Sequence, residues 1–338
     1  KALNRLIDAD PYFALALFEI RKRRRLDLIN RRHAVYDDGD TQIVRVVDSL
    51  TKRKKPEAGQ TERVALSTQD FRLKSVQGAR QMLNVLKLAK PEVSPGTEKK
   101  PPELAPRSKW KVVHPFDLWM DWIGRNVATT FEFDPDFPYG IVRVGDGVTA
   151  CVNLSKGFPH EGAVSDPSAI ARMGDGPLPQ APESCRPLVE HVHEVLCRED
   201  ADNTRFLFQW IAHPMQQPTS PRGTMVVIYG AQGAGKSIFA EDLMQTLYGG
   251  HYYQTSDDGD FLEFTDPLKG RMIVHGEELE ARSGKMSSRL KAISTASNLS
   301  TEAKNQNKLS IPNTVRVLLT TNEIHNVKMD RDDRRWFV

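Results

Sequence analysis

Gly230-Ala231-Gln232-Gly233-Ala234-Gly235-Lys236-Ser237 fits G-x-x-x-x-G-K-[ST], the phosphate-binding P-loop pattern. Its flanks agree. Met225-Val-Val-Ile-Tyr229 is a short apolar run, readable as a buried parallel strand. Beyond the loop, Ile238, Phe239, Leu243, Met244 and Leu247 recur at helical spacing until Gly249-Gly250. The glycines let the backbone wrap a polyphosphate with successive N–H groups pointing inward, and the helix N-terminus adds partial positive charge. The candidate nucleotide-binding set is Gly230, Gly233, Ala234, Gly235, Lys236, Ser237 and Ile238. Lys236 is placed to reach the β- and γ-phosphates, and the Ser237 hydroxyl to ligate Mg²⁺.

Downstream residues narrow the chemistry. Met272-Ile-Val274 reads as a second buried strand, with His275-Gly-Glu-Glu278 behind it. An acid at such a strand end holds Mg²⁺, and a second beside it polarises the attacking water. Glu277 is assigned to the metal and Glu278 to the base, with Glu280 nearby as a further acid. Met286, Leu290 and Ile293 predict a helix. Leu299 to Thr314 is polar and basic, and Asn305-Gln306-Asn307 suits a hairpin tip flanked by Lys304 and Lys308. Lys304, Asn305 and Lys308 are the candidate phosphate contacts there. Val315 to Leu319 reads as a third strand ending in Thr320-Thr321-Asn322, whose amide suits the orientation of a water facing the γ-phosphate. In Arg331-Asp-Asp-Arg-Arg335, an arginine could reach the γ-phosphate of a neighbouring subunit.

The chain has 338 residues, room for two domains, with 39% hydrophobic and 27% charged residues, as in ordinary globular proteins. No apolar run approaches a membrane span and no targeting segment is visible, so a cytoplasmic protein is expected. Its three cysteines, an odd count, suit a reducing compartment. A first residue of Lys and a terminal Trp336-Phe-Val338 that looks like a strand beginning suggest a fragment. The net charge of +3 is mild, so nucleic-acid binding has to be argued from local patches.

Upstream, an apolar helical pattern over Leu6 to Ile20 runs into Arg21-Lys-Arg-Arg-Arg25 and Arg31-Arg32-His33. These cations suit either phosphate contact or a solvated helix end. Ile43 to Val47 reads as a strand after the turn at Asp37 to Asp40. Residues 51–65 read as a loop, 71–88 as a helix, 90–108 as a linker and 110–123 as a helix. Residues 129–155 read as β-rich, 156–184 as loop-like, and Leu188 to Leu196 and Phe206 to Ile211 as helices. Cys185, His191, His193 and Cys197 do not match common zinc spacings, and the histidines fall on different helix faces, which favours ordinary histidines over a metal site.

Together, the P-loop, the strand with paired acids, the basic hairpin, the strand ending in Thr-Thr-Asn and the Asp-Arg-Arg segment resemble a superfamily 3 helicase, most nearly the primase-associated helicases of phages and mobile elements. The likeness covers about 205–338, with Gln209-Trp210 and Gln217-Pro218 resembling the family's lead-in, and a looser likeness at Asn30 to His33 and Phe131 to Pro135. It implies an α/β fold: a P-loop AAA+-like αβα ATPase core over 201–338, C-terminally incomplete, preceded by a mixed α+β accessory domain over 1–200. It further implies ATP and Mg²⁺ as cofactors, a homo-oligomeric ring (usually a hexamer) with ATP sites between subunits, single-stranded DNA as partner, 3′→5′ movement and a fused or associated primase-polymerase. On the family's pattern Asn322 takes the sensor position, Lys304 or Lys308 the DNA-contacting hairpin, and Arg334 or Arg335 the arginine finger. Glu277 stands where the family commonly has Asp. The reading is an ATP-dependent DNA helicase of a phage or mobile-element replication protein. Its rivals are an AAA+ replication initiator without processive unwinding, an adaptor that uses ATP only to assemble, and a P-loop kinase.

Overall fold

The structure is a computed structural model that describes residues 7–37, 41–48, 69–97, 100–143, 149–159, 183–220, 223–263, 265–279, 283–301, 308–323, 327 and 333–338. The chain divides into two compact units, residues 1–49, 69–130 and 140–153, and residues 50–68, 131–139 and 154–338. Residues 154–200, grouped by sequence with the accessory region, thus fall within the second unit.

The first unit opens with α1 (Pro11–Asn30). Pro11 presets its first turn, and the Asp10 carboxylate caps it by accepting from Tyr12 N at 2.8 Å and Phe13 N at 3.1 Å. The strands are β1 (His33–Asp37), β2 (Thr41–Asp48), β3 (Gln69–Ser75), β4 (Leu88–Lys90), β5 (Val93–Ser94), β6 (Glu103–Leu104), β7 (Lys111–Val113), β8 (Val127–Glu132), β9 (Gly140–Arg143) and β10 (Thr149–Asn153), with α2 (Val76–Met82) and α3 (Pro115–Met120) among them. A six-stranded mixed sheet runs β3-β2-β1-β8-β10-β9, with β1 parallel to β8 and antiparallel to β2. Leu26, Ile29, Val35, Ile43, Ala79, Phe116 and Trp119 form its core. Asn30, buried at the end of α1, accepts from Trp119 Nε1 at 2.9 Å and Asn126 N at 2.8 Å, joining α1, α3 and the approach to β8.

Two sequence expectations change here. Residues 71–88 are not one helix, because β3 pairs along β2 and only Ser75, capping Gly78 N at 3.1 Å, starts α2. Residues 110–123 are not one helix either, because Lys111–Val113 pairs antiparallel with β4 and Pro115 delays the helix start. The expected linker at 90–108 carries the β5–β6 pair.

The second unit carries α4 (Arg186–Glu190) with a π-helical continuation His191–Leu196, then α5 (Ala201–Gln216). It continues with β11 (Met225–Tyr229), a π-helical turn Ile238–Leu243 leading into α6 (Met244–Tyr248), β12 (Tyr252–Thr255), α7 (Gly259–Leu262), β13 (Ile273–Glu277) and α8 (Gly284–Thr295). The hairpin strands β14 (Asn298–Thr301) and β15 (Leu309–Pro312), then β16 (Arg316–Thr321) and β17 (Trp336–Phe337), complete it. Five strands make an all-parallel sheet ordered β12-β13-β16-β11-β17. The near-continuous apolar runs Met225 to Ile228, Met272 to Val274 and Val317 to Leu319 are buried, as a parallel sheet covered on both faces requires. Chain order rises from β11 through β12, β13 and β16, and β17 returns to the far side of β11. The carboxyl edge beside β11 is therefore a switch point, where open α/β sheets form their crevices.

Arg316 is buried at the opposite end of β16. Its guanidinium donates to the Pro218, Thr314, Gln217 and Ser220 carbonyls at 2.7–2.8 Å, tying the segment after α5 to the sheet. Burial pulls its pKa down to about 10, which leaves it charged at neutral pH. Among the described residues no helix is long and apolar enough to cross a membrane.

Candidate functional site

Three parallel strands end on the same edge, and each delivers one polar group. From β11 the chain enters the Gly230 to Gly235 turn, where Gly233 (φ +85°) and Gly235 (φ +79°) adopt the left-handed backbone that side chains oppose. A Cβ at Gly233 would meet nothing within 4 Å among the described residues. A Cβ at Gly235 would fall 2.4 Å from the His191 ring, whose Nε2 lies 3.4 Å from the Gly235 carbonyl. His193, by contrast, meets Thr204 Oγ1 at 2.9 Å, so the two histidines serve different partners. Ala234 is half-buried, and Ser237 and Ile238 are exposed on the first helical turn.

Lys236 turns back over the loop. Its ammonium donates to Gly230 O at 2.7 Å, Ala231 O at 3.0 Å and Asn322 Oδ1 at 3.0 Å. All three acceptors are neutral. Asn322 follows β16, and its backbone N donates to Glu278 Oε1 at 3.0 Å. Glu278 follows β13 with φ +50°, a strained conformation for a non-glycine residue. Its amide donates to Thr320 O at 2.9 Å, and its Oε2 accepts from Thr321 Oγ1 at 3.3 Å. Lys236, Asn322 and Glu278, separated widely in sequence, thus form one connected cluster.

Glu277 ends β13, half-buried, and accepts from Gln254 Nε2 at 3.0 Å. Behind it, His275 is fully buried between two strands, with Nδ1 3.0 Å from Tyr252 Oη and Nε2 2.7 Å from Thr320 Oγ1. Burial lowers its pKa to about 4, so the ring is neutral and bridges β12, β13 and β16 with one donating and one accepting nitrogen. Neither Gln254 nor the His275 bridge carries a sequence signal, since no motif marks them.

Arg334 is exposed, whereas Arg335 Nε donates to Asp333 Oδ1 at 2.9 Å and the Arg335 carbonyl accepts from Met225 N at 2.7 Å. Lys291 Nζ, 2.8 Å from Asp333 Oδ2, and then Arg335 hold the Asp333 carboxyl down at about 2. Lys308, just before β15, is exposed, and β15 pairs antiparallel with β14 as expected of a hairpin. Lys304, Asn305, Glu280 and Arg331 lie outside the described residues. The structure thus gathers Lys236, Asn322 and Glu278 and does not join Arg334, Arg335 or Lys308 to them.

A family model described as a family of unknown function (DUF5906) matches residues 228–335, the stretch that holds this cluster. The chain is 26% identical over 167 residues to a DNA Primase-polymerase of Nitratiruptor phage NrS-1, covering 48% of this chain and 22% of that protein. It therefore spans about a fifth of that relative's length. Among solved structures it is similar to an apo structure of the NrS-1 C terminal region (22% identity, TM-score 0.45, 76% of this chain and 59% of that one). A second, an A form apo structure of the same region, gives 20% identity and TM-score 0.46 over 76% and 59% of the two chains.

Proposed function

We propose that residues 201–338 form an AAA+-like P-loop ATPase of superfamily 3 helicase type, part of a phage or mobile-element replication protein that moves on single-stranded DNA. The observation that carries this reading is the cluster of Lys236, Asn322 and Glu278 at the carboxyl ends of β11, β16 and β13. The strand order supports it, because the loop-bearing β11 lies between β16 and β17 with the acid-bearing β13 beyond β16. The similarity to a phage DNA Primase-polymerase supports a replication setting.

The residues present suit Mg²⁺–ATP. Lys236 is a cation whose recorded partners are neutral oxygens, a Cβ at Gly233 would meet nothing within 4 Å among the described residues, and two carboxylates stand across the edge. Bound Mg²⁺–ATP would supply the phosphoanhydride bond whose hydrolysis drives the cycle. Lys236 would turn from its carbonyl partners to the phosphate oxygens. Ser237 and Glu277 would hold the metal, and Gln254 fixes the Glu277 carboxylate. Glu278 takes the proton of the attacking water at its carboxylate, while Thr321 and the Asn322 amide orient it. Arg334, exposed beside the anchored Arg335, is the better candidate to reach a neighbouring subunit in a ring. Lys304, Asn305 and Lys308, which lie between β14 and β15 in the sequence, would contact DNA. Turnover of ATP measured with and without single-stranded DNA tests the reading, since a DNA motor is stimulated and a P-loop kinase is not.

A further inference from the structure

The first unit carries a second feature that the P-loop chemistry does not use. Along α1, Arg21, Arg24, Arg25, Leu28 and Arg31 recur at i, i+3, i+4, i+7 and i+10, which places them on one side of the helix. Phe18, Leu26, Ile29 and Asn30 take the buried side. The other cations of the helix are engaged: Lys22 pairs with Glu19, while Arg23 lies 3.3 Å from Asp27 and over the Trp122 ring at 4.7 Å. Among the described residues Arg21, Arg24, Arg25 and Arg31 form no ion pair, and Arg21, Arg24 and Arg31 are exposed. At 1.5 Å per residue, the stripe from Arg21 to Arg31 runs about 15 Å, the reach of several phosphates of one strand.

Arg21 also borders a cavity of about 200 Å³ floored by Ile7, Phe18 and Leu88 and walled by Trp110 and Arg107. The Trp110 indole is fixed at its edge, Nε1 donating to Ala105 O at 2.9 Å, and the Arg107 guanidinium lies over its ring at 5.6 Å. Asp8, the acid at this rim, is held by Arg107 Nε at 2.8 Å and so does not neutralise Arg21. A row of unpaired guanidinium groups leading to a cleft of mixed polar and apolar lining, with an anchored aromatic and an arginine over its ring, has the two chemistries an unpaired polynucleotide needs.

We propose that the outer face of α1 and the adjoining cavity bind single-stranded nucleic acid, the arginines taking phosphates and the cavity taking an unstacked base. The site is separate from the nucleotide cluster and does not depend on ATP turnover. The test is fluorescence anisotropy of a labelled oligothymidylate of about 20 nucleotides against the full chain without nucleotide, at several salt concentrations. The triple variant Arg21→Ala/Arg24→Ala/Arg31→Ala should bind at least about tenfold more weakly and lose about 2 from the salt slope, at roughly 0.7 per phosphate contact on single strands. The matching triple Lys variant should keep most of the affinity, and circular dichroism checks that each variant is folded. Trp110→Phe, which keeps an aromatic face, should bind nearly as wild type, and Trp110→Ala roughly tenfold more weakly with an unchanged salt slope. Unchanged affinity and slope in the triple Ala variant would overturn the proposal. So would duplex DNA binding as well as the single strand, or anionic lipid vesicles binding through these arginines in place of DNA. Because no ATP is present, loss of this binding and failure of the ATPase reading are separate results.

Discussion

Glu278 holds a backbone conformation with φ +50° while its carboxylate accepts from Thr321 and Asn322. Strain of about 1–3 kcal/mol of this kind persists where the surroundings over-determine it, often at functional sites. Glu278→Gln keeps the side-chain shape and removes the proposed base, so kcat for ATP hydrolysis should fall about 10²- to 10⁴-fold while nucleotide affinity, read by titration with a fluorescent ATP analogue, stays near wild type. Gly235 faces two barriers, a φ of +79° and the His191 ring 2.4 Å from a Cβ. Gly235→Ala should therefore cost roughly 2–4 kcal/mol of stability in urea unfolding. Adding His191→Ala should recover the packing part and leave the backbone part, and a double mutant with no recovery would show that the ring is not the obstacle. At this scale the loop glycines, Lys236, Glu278 and Asn322 stand out as candidates in the sequence because their motif or strand-end position constrains residue type, and the structure brings the last three together. His191 was legible only as a histidine, since its contact to Gly235 lies 44 residues away.

At the element scale, β11, β13 and β16 are legible from uninterrupted apolar runs, which need no knowledge of partners, whereas β12 (Tyr252–Thr255) carries no such run and escapes the sequence reading. The helices expected at 71–88 and 110–123 failed because Gln69–Ser75 and Lys111–Val113 become strands through pairings with β2 and β4 that local spacing does not encode. The same limit hid the His275 bridge, whose partners are 23 and 45 residues away. Burial lowers the pKa of His33, His251 and His275 to about 4 each, against an ordinary 6.5. A folded-state pKa below the unfolded one gives stability that is complete above pH 6.5 and declines as pH falls toward 4, by up to about 1.4 kcal/mol per pH unit per histidine. Melting temperature should drop between pH 7 and pH 5, and His275→Gln should flatten that drop while lowering stability at pH 7. A melting temperature flat from pH 7 to 5 would contradict the burial assigned to these rings. The short β17 depends on Asp333, which Lys291 and Arg335 hold at about 2. Its contribution is present above about pH 4 and lost as pH falls toward 2, and Asp333→Asn should cost about 1–3 kcal/mol.

At the scale of the whole molecule, one sheet edge gathers the glycine loop, the acids and the amide, while the exposed Arg334 lies in the turn before β17. That arrangement predicts a catalytic centre completed by another copy of the chain. The place of residues 154–159 is the least legible feature, because they carry no periodic signal and are tied to the second unit by contacts such as Lys156 N donating to His251 Nε2 at 2.9 Å. The most direct measurement is ATP hydrolysis by Lys236→Ala and Arg334→Ala variants, alone and mixed, across protein concentrations and with single-stranded DNA. The account predicts that each variant alone is inactive, that the mixture recovers a fraction of wild-type turnover, and that wild-type turnover rises with DNA and with concentration. Turnover independent of concentration and DNA, with Arg334→Ala fully active, would contradict it.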